Sequence, residues 1–264
     1  MLNNLPRGDN QTHGFPDRPS SASFYCSNPC FELNHSRSYH ERRKMKLFLD
    51  TADVEQIREV ARWGILDGVT TNPTHVAKTQ RGPADLYPEI CSLVDGPVSL
   101  ETVSLEADQI VKEGQQLAKI ADNVVVKVPI MKEGLVAVRQ LSAEGIATNV
   151  TVTFSATQAL LAAKCGATYI SPFVGRLDAI AQEGMELVNQ IQSIYENYGY
   201  STEIIVAAVR HPVHVLESAV IGADICTMNF DVMNQLYDHP LTDDAIQMFL
   251  NDWNKVPDNQ SASS

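Results

Sequence analysis

Eight short runs of strand character, separated by segments of helical period, follow one another from Met45 almost to the end of this chain. No other feature constrains its fold as tightly. The strand runs are Leu47–Asp50, Gly68–Thr71, Val98–Val103, Val124–Val128, Ala147–Thr151, Thr168–Phe173, Ile204–Val209 and Asp224–Thr227. Between them lie amphipathic segments such as Val54–Trp63, Leu105–Ala121, Gly134–Glu144, Ala156–Lys164, Ile180–Asn197 and Pro212–Ile221. Several close on a glycine before the next strand, at Gly64, Gly145, Gly166 and Gly222, as helix C-caps do. Eight strand-then-helix units predict an α/β chain folded as a (β/α)8 TIM barrel. An extra helix, from about Asp243 to Trp253, closes the chain. The competing architecture is a doubly wound open sheet, but no G-x-G-x-x-G follows the first strand, so a dinucleotide fold has little support.

The barrel is placed at 45–255, a length that α/β barrels reach as one domain. Residues 1–44 are different in kind: rich in Asn, Ser, Pro, Arg and His, without periodicity, and ending in the charged run Glu41–Lys44. Such a segment buries too little apolar surface to offset its ordering entropy and is expected to be disordered, like the tail at 256–264. It also reads as an upstream-start artefact, with Met45 the working start. A transit peptide is weakened by Asp9, Asp17, Glu32 and Glu41.

No signal-peptide pattern opens the chain and no apolar run approaches a membrane span, so a cytoplasmic protein with no membrane partner is expected. Asp and Glu number 32 against 20 Lys and Arg, a formal charge of −12, which argues against non-specific nucleic-acid binding. An anionic substrate stays possible, because a local arginine pair can hold a phosphate on an acidic protein. Of the five cysteines, Cys91, Cys165 and Cys226 lie in apolar segments and read as buried small hydrophobes. Cys26 and Cys30 form a lone C-x3-C without a second ligand pair, which speaks against zinc. His211, His214 and His239 lack an acidic partner at ligand spacing, and no metal site is expected.

The most apolar run, Asn123–Pro129, carries Lys127 after three valines and before Val128. Such a strand is buried on both faces, as in parallel sheets. An ammonium there is costly unless it is paired, neutralised or used in chemistry, and a desolvated amine can attack a carbonyl to form a Schiff base. The alternative is a lysine at a strand end that snorkels to water. In a barrel, active-site residues come from the C-terminal ends of strands. Here those ends carry Asp50, Thr71-Asn72-Pro73, Glu101, Lys127, Asn149, Thr151, Ser171, Phe173, Arg176 and Arg210. So many polar groups at one end of a barrel point to a site.

Five motifs make this specific: LFLDTA at Leu47–Ala52, DGVTTNP at Asp67–Pro73, VVKVP at Val125–Pro129, TNVT at Thr148–Thr151 and SPFVGRLD at Ser171–Asp178. In this order they resemble the small-subunit transaldolase family, which includes the fructose 6-phosphate aldolases. The resemblance runs from Met45 to about Lys255. It implies that Lys127 is the Schiff-base lysine and Asp50 the general acid/base at the breaking bond. Glu101 and Thr151 would hold a catalytic water. Asn72, Asn149, Ser171 and Phe173 would meet the substrate, and Arg176 and Arg210 would clamp its phosphate. Asp50 read on its own could cap the helix near Val54, although Thr51 or Asp53 could serve there. Asn72 could be a turn former before Pro73. Either arginine could pair with Asp178 or Glu217 at the surface.

The resemblance also implies the activity: transfer of a dihydroxyacetone unit between sugar phosphates in the pentose phosphate pathway, with no cofactor. Phe173 and Glu101 stand where fructose 6-phosphate aldolases typically carry Tyr and Gln, so transaldolase is favoured over aldolase. A non-catalytic sugar-phosphate-binding scaffold is disfavoured by the presence of Lys127, Asp50, Glu101 and Thr151 together. Relatives form homo-oligomers, pentamers paired into decamers, and Ile246, Met248, Phe249 and Trp253 fit a last helix packed on a neighbour. One departure is visible. The family usually has Ala-Ser-x-Arg where this chain reads Ala207-Ala208-Val209-Arg210, so a hydroxyl donor to phosphate is missing.

Overall fold

The structure is a computed structural model that describes residues 44–257. The extension before Lys44, the Cys26–Cys30 pair and the tail from residue 258 onward lie outside the described residues. Eight parallel strands close into a barrel in chain order: β1 (Lys46–Asp50), β2 (Gly68–Thr70), β3 (Val98–Glu101), β4 (Val124–Pro129), β5 (Thr148–Thr153), β6 (Tyr169–Pro172), β7 (Glu203–Val206) and β8 (Ile225–Met228), which pairs back onto β1. This is the (β/α)8 barrel that the alternation predicts. Around it run α1 (Val54–Arg62), α2 (Pro73–Thr79), α3 (Pro83–Leu93), α4 (Ala107–Leu117), α5 (Lys132–Ala143), α6 (Ala156–Lys164), α7 (Val174–Asp178), α8 (Gly184–Tyr198), α9 (Pro212–Ile221) and α10 (Phe230–Gln235), with α11 (Pro240–Trp253) at the end.

The two-residue period of the strands sorts their side chains into two environments. Leu49, Val69, Leu100, Val126, Val128, Ile170, Ile204 and Cys226 pack in the core that includes the helices. Phe48, Val125, Tyr169, Ile205 and Ile225 form a separate cluster with Ala147, plugging the barrel interior. Two residues further along the same strands, and therefore on the same inward face, stand Asp50, Lys127, Asn149, Ser171, Ala207 and Thr227. The interior is thus apolar below and polar above, and the site sits on the boundary.

The structure differs from the sequence reading at several points. Two helices, α2 and α3, fill the connection between β2 and β3, where periodicity marked none. The short α7 and α10 were likewise unmarked, and α11 begins three residues earlier than expected. β7 ends at Val206, so Arg210 leaves the loop after the strand and not the strand itself. β5 slips register against β6 between Val150 and Thr153, with Val152 at φ 61°. Cys91 and Cys226 are buried, but Cys165 is only partly so. Among the described residues no helix is long and apolar enough to cross a membrane, and no group of three or more His, Cys, Asp or Glu side chains could hold a metal ion.

Gly68 shows how tightly the plug is fitted. A Cβ there would stand 2.5 Å from the Phe48 ring and 2.7 Å from the Pro97 carbonyl oxygen. Replacing glycine normally gains up to about 1 kcal/mol by restricting the unfolded chain. Overpacking against a fully buried ring and a backbone oxygen costs about 1–3 kcal/mol and decides the sign. Gly68→Ala should therefore lower the urea midpoint of unfolding by an amount equivalent to about 1–2 kcal/mol; an unchanged or raised midpoint would show that the plug yields.

Candidate active site

Lys127 points into the barrel from β4 and is 4% exposed. Its Nζ lies 3.0 Å from Glu101 Oε2 and donates to the Thr71 carbonyl oxygen at 2.9 Å. The parallel register places Glu101 directly beside Lys127 on the neighbouring strand, so the pair follows from the β3–β4 alignment. The lysine does not snorkel away; it is held at the floor of a cavity of about 950 Å³. That volume is enough for a small-molecule substrate.

Asp50, at the end of β1, lines the same cavity. Its Oδ1 accepts a hydrogen bond from Thr70 Oγ1 at 2.9 Å, and Thr70 Oγ1 lies 2.7 Å from Thr227 Oγ1. Its Oδ2 lies 3.4 Å from His75 Nε2. Burial pushes the Asp50 carboxyl up, but the His75 contact, the Lys127 charge and the Thr70 hydroxyl outweigh it and hold the group below its ordinary value. Asp50 does not cap the next helix; Asp53 does, accepting from the backbone N–H groups of Glu55 and Gln56.

Of the ten residues read from the sequence, Asp50, Asn72, Glu101, Lys127, Ser171, Phe173, Arg176 and Arg210 line this cavity. Asn149 and Thr151 do not; both are fully buried. Asn149 links β3 to β6, donating to Ser99 Oγ at 3.1 Å and accepting from Ser171 Oγ at 2.7 Å. The Thr151 hydroxyl, like those of Thr148 and Thr153, has no hydrogen-bond partner. Asn72 is a helix cap as well as a cavity residue: its Oδ1 accepts from His75 N at 3.0 Å. Phe173 packs edge-on against Phe154, with ring centroids 5.9 Å apart.

At the far end of the cavity Arg176, on α7, and Arg210, after β7, are both exposed. Neither forms an ion pair among the described residues. Asp178, a candidate partner for them from sequence, is instead 2.8 Å from His214 Nε2. His214 Nδ1 accepts the Arg210 backbone N–H at 3.3 Å, so the imidazole is neutral with its proton on Nε2. Burial and the adjacent His211 push His214 below its ordinary value, against Asp178 and Glu217. Ala208 lines the cavity beside the arginines with φ at 57°. Sequence reasoning missed His75, Thr70 and Ser99. His75 and Ser99 carry no distinguishing local signal, whereas Thr70 precedes the Thr71-Asn72-Pro73 strand end already singled out.

The family model described as "Transaldolase/Fructose-6-phosphate aldolase" matches residues 47–262. A probable transaldolase of Aquifex aeolicus is 63% identical over 214 residues, covering 81% of this chain and 99% of that protein. Those of Dictyoglomus turgidum and Myxococcus xanthus are 56% and 59% identical, each over 81% of this chain and over 100% and 96% of their own lengths. Among solved structures, the carboxyl transferase domain of Rhizobium etli pyruvate carboxylase with 3-bromopyruvate superposes with a TM-score of 0.54 at 11% identity, over 72% of this chain and 40% of that one; this likeness concerns the barrel alone. The chain belongs to the transaldolase/fructose-6-phosphate aldolase family.

Proposed function

We propose that this protein is a transaldolase that moves a dihydroxyacetone unit between sugar phosphates through a Schiff base on Lys127. The observation that carries the reading is a buried lysine, ion-paired to Glu101, at the floor of an open cavity also lined by two arginines that form no ion pair among the described residues. Lys127 first passes a proton to Glu101, whose carboxylate lies 3.0 Å from its Nζ. The free amine attacks C2 of fructose 6-phosphate or sedoheptulose 7-phosphate, and loss of water gives an iminium. The Asp50 carboxylate takes the proton of the C4 hydroxyl. The C3–C4 bond breaks, its electron pair moves into the iminium to form an enamine, and an aldehyde phosphate leaves. Erythrose 4-phosphate or glyceraldehyde 3-phosphate then enters, the enamine carbon attacks its carbonyl, and Asp50 returns the proton to the new hydroxyl. Water releases the product from Lys127.

Arg176 and Arg210 hold the phosphate, and Asn72 and Ser171 orient the sugar hydroxyls, Ser171 being held in turn by Asn149. Phe173 presents a hydrocarbon ring where a hydroxyl could deliver a proton, which protects the enamine until an acceptor arrives. The work belongs to the pentose phosphate pathway in the cytoplasm.

Borohydride in the presence of fructose 6-phosphate should trap a covalent adduct on Lys127, absent in Lys127→Met. Glyceraldehyde 3-phosphate release should depend strongly on erythrose 4-phosphate. Release without the acceptor would make the protein an aldolase, and trapping without turnover a binding scaffold. Ala208→Ser should restore a hydroxyl beside the phosphate. A hydrogen bond to a charged group is worth about 1.5–3 kcal/mol, so the KM for fructose 6-phosphate should fall about tenfold or more; an unchanged KM would remove Ala208 from the phosphate site.

The protein is also proposed to assemble as a pentamer or decamer. No residue of α11 is buried, and Leu241, Phe249 and Trp253 are more than half exposed. An apolar helix left in water is unfavourable, and a second copy can cover it. Light scattering should report a ring-sized oligomer that dissociates when the chain is cut before Pro240. A monomeric full chain would leave α11 for another role.

A further inference from the structure

His75 occupies an unusual place. It stands in the first turn of α2, with Pro73 opening that helix and the Asn72 side chain holding the His75 backbone N–H. That cap fixes the turn against the end of β2, and the imidazole lines the cavity above Asp50. The two oxygens of Asp50 are therefore met from different sides: Oδ1 accepts the Thr70 hydroxyl, and Oδ2 faces His75 Nε2 at 3.4 Å. A carboxylate bonded at one oxygen and flanked by an imidazole at the other has a preferred orientation, yet each oxygen keeps a lone pair for a substrate proton.

We propose that His75 is a positioning residue for Asp50, fixing the carboxylate as an oriented anion facing the reacting hydroxyl. The inference rests on the reading of Asp50 as the group that carries the proton of the breaking bond. An N–H at Nε2 directed at Oδ2 favours negative charge on that oxygen. The other groups acting on Asp50 are Lys127 from β4 and, from β2 and β8, the uncharged Thr70–Thr227 pair. Asp53, Glu55, Lys78, Arg81, Glu89 and Asp231 are the charged groups that line the cavity from the connections around Asp50 and His75. His75 favours the ionised form of Asp50. The bond-breaking step needs that form as a base, so His75 extends activity towards acid pH; without it the acid limb moves up.

The test compares wild type with His75→Leu and His75→Gln, all checked for folding by circular dichroism. Asp50 is titrated by NMR of its 13C-labelled carboxyl, and kcat/KM for fructose 6-phosphate with erythrose 4-phosphate is measured against pH. In His75→Leu the Asp50 titration should rise by about one pH unit and the acid limb of kcat/KM should rise with it. The rate should then fall about tenfold below the limb and far less above it. His75→Gln, which can donate but carries no charge, should fall between. An Asp50 titration unchanged in His75→Leu would overturn the proposal. If His75→Leu does not fold, an unchanged titration in His75→Gln does so. Borohydride trapping on Lys127 reports separately: if wild type is not trapped, the reading of the site fails, while the titration still decides whether His75 governs Asp50.

Discussion

The ion pair of Lys127 and Glu101 is the constraint around which the rest of this barrel is arranged. It lies where the apolar plug ends and the cavity begins, and both members are largely removed from water. Taking an ammonium out of water costs several kcal/mol, which a single contact does not return. Here the carboxylate at 3.0 Å and the Thr71 carbonyl oxygen at 2.9 Å share the task. Loss of either charged partner would strand the other, at about 3–5 kcal/mol. The pair is therefore weak support for stability and strong support for a use. The stability comes from below, where Phe48, Val125, Tyr169, Ile205 and Ile225 fill the interior.

The end of β2 shows how few residues organise the chemistry. Thr70, Thr71 and Asn72 are consecutive, and each holds a different group: Thr70 the Asp50 carboxylate, Thr71 the Lys127 ammonium through its backbone, and Asn72 the turn that carries His75. Alternation accounts for this division. Thr70 points inward, where Asp50 is its neighbour across the β1–β2 pair. Thr71 turns its side chain to the Ser99 carbonyl, leaving its own carbonyl for the lysine. Asn72 is extended, at φ −155°, the backbone form that a helix cap needs before Pro73.

What was legible in the sequence follows from the strength of each signal. The barrel was legible because buried strands and glycine-ended helices repeat many times, and Lys127 because a charge interrupts a run of valines. The helix α2 was not, since none of its residues is buried and an unburied helix leaves no apolar period. Nor was α3, where Pro88 sits inside the helix and argues against one, although Leu86, Tyr87, Ile90 and Cys91 bury a face. His75 went unseen with α2, because its meaning lies in a contact between elements. Thr151 was read at the end of β5, but the strand runs on to Thr153 with a register slip against β6, and Val152 is the residue of this strand that lines the cavity.

The opposite end of the cavity is built by another logic, that of two loops locked together. Arg176 and Arg210 come from different connections and must keep a fixed separation if they are to share one phosphate. Gly175 makes this possible, because a Cβ there would stand 2.3 Å from the Ala208 carbonyl oxygen and 2.6 Å from Arg210 Cγ. The backbone of α7 can thus lie against the β7 loop only through a glycine. Asp178 then reaches His214, whose other nitrogen accepts the Arg210 backbone N–H. The same Asp178 accepts the Gly184 N–H at 2.9 Å, fixing the start of α8. Among the described residues neither guanidinium forms an ion pair, while Asp178, the carboxylate two residues from Arg176, is taken up by His214 and Gly184.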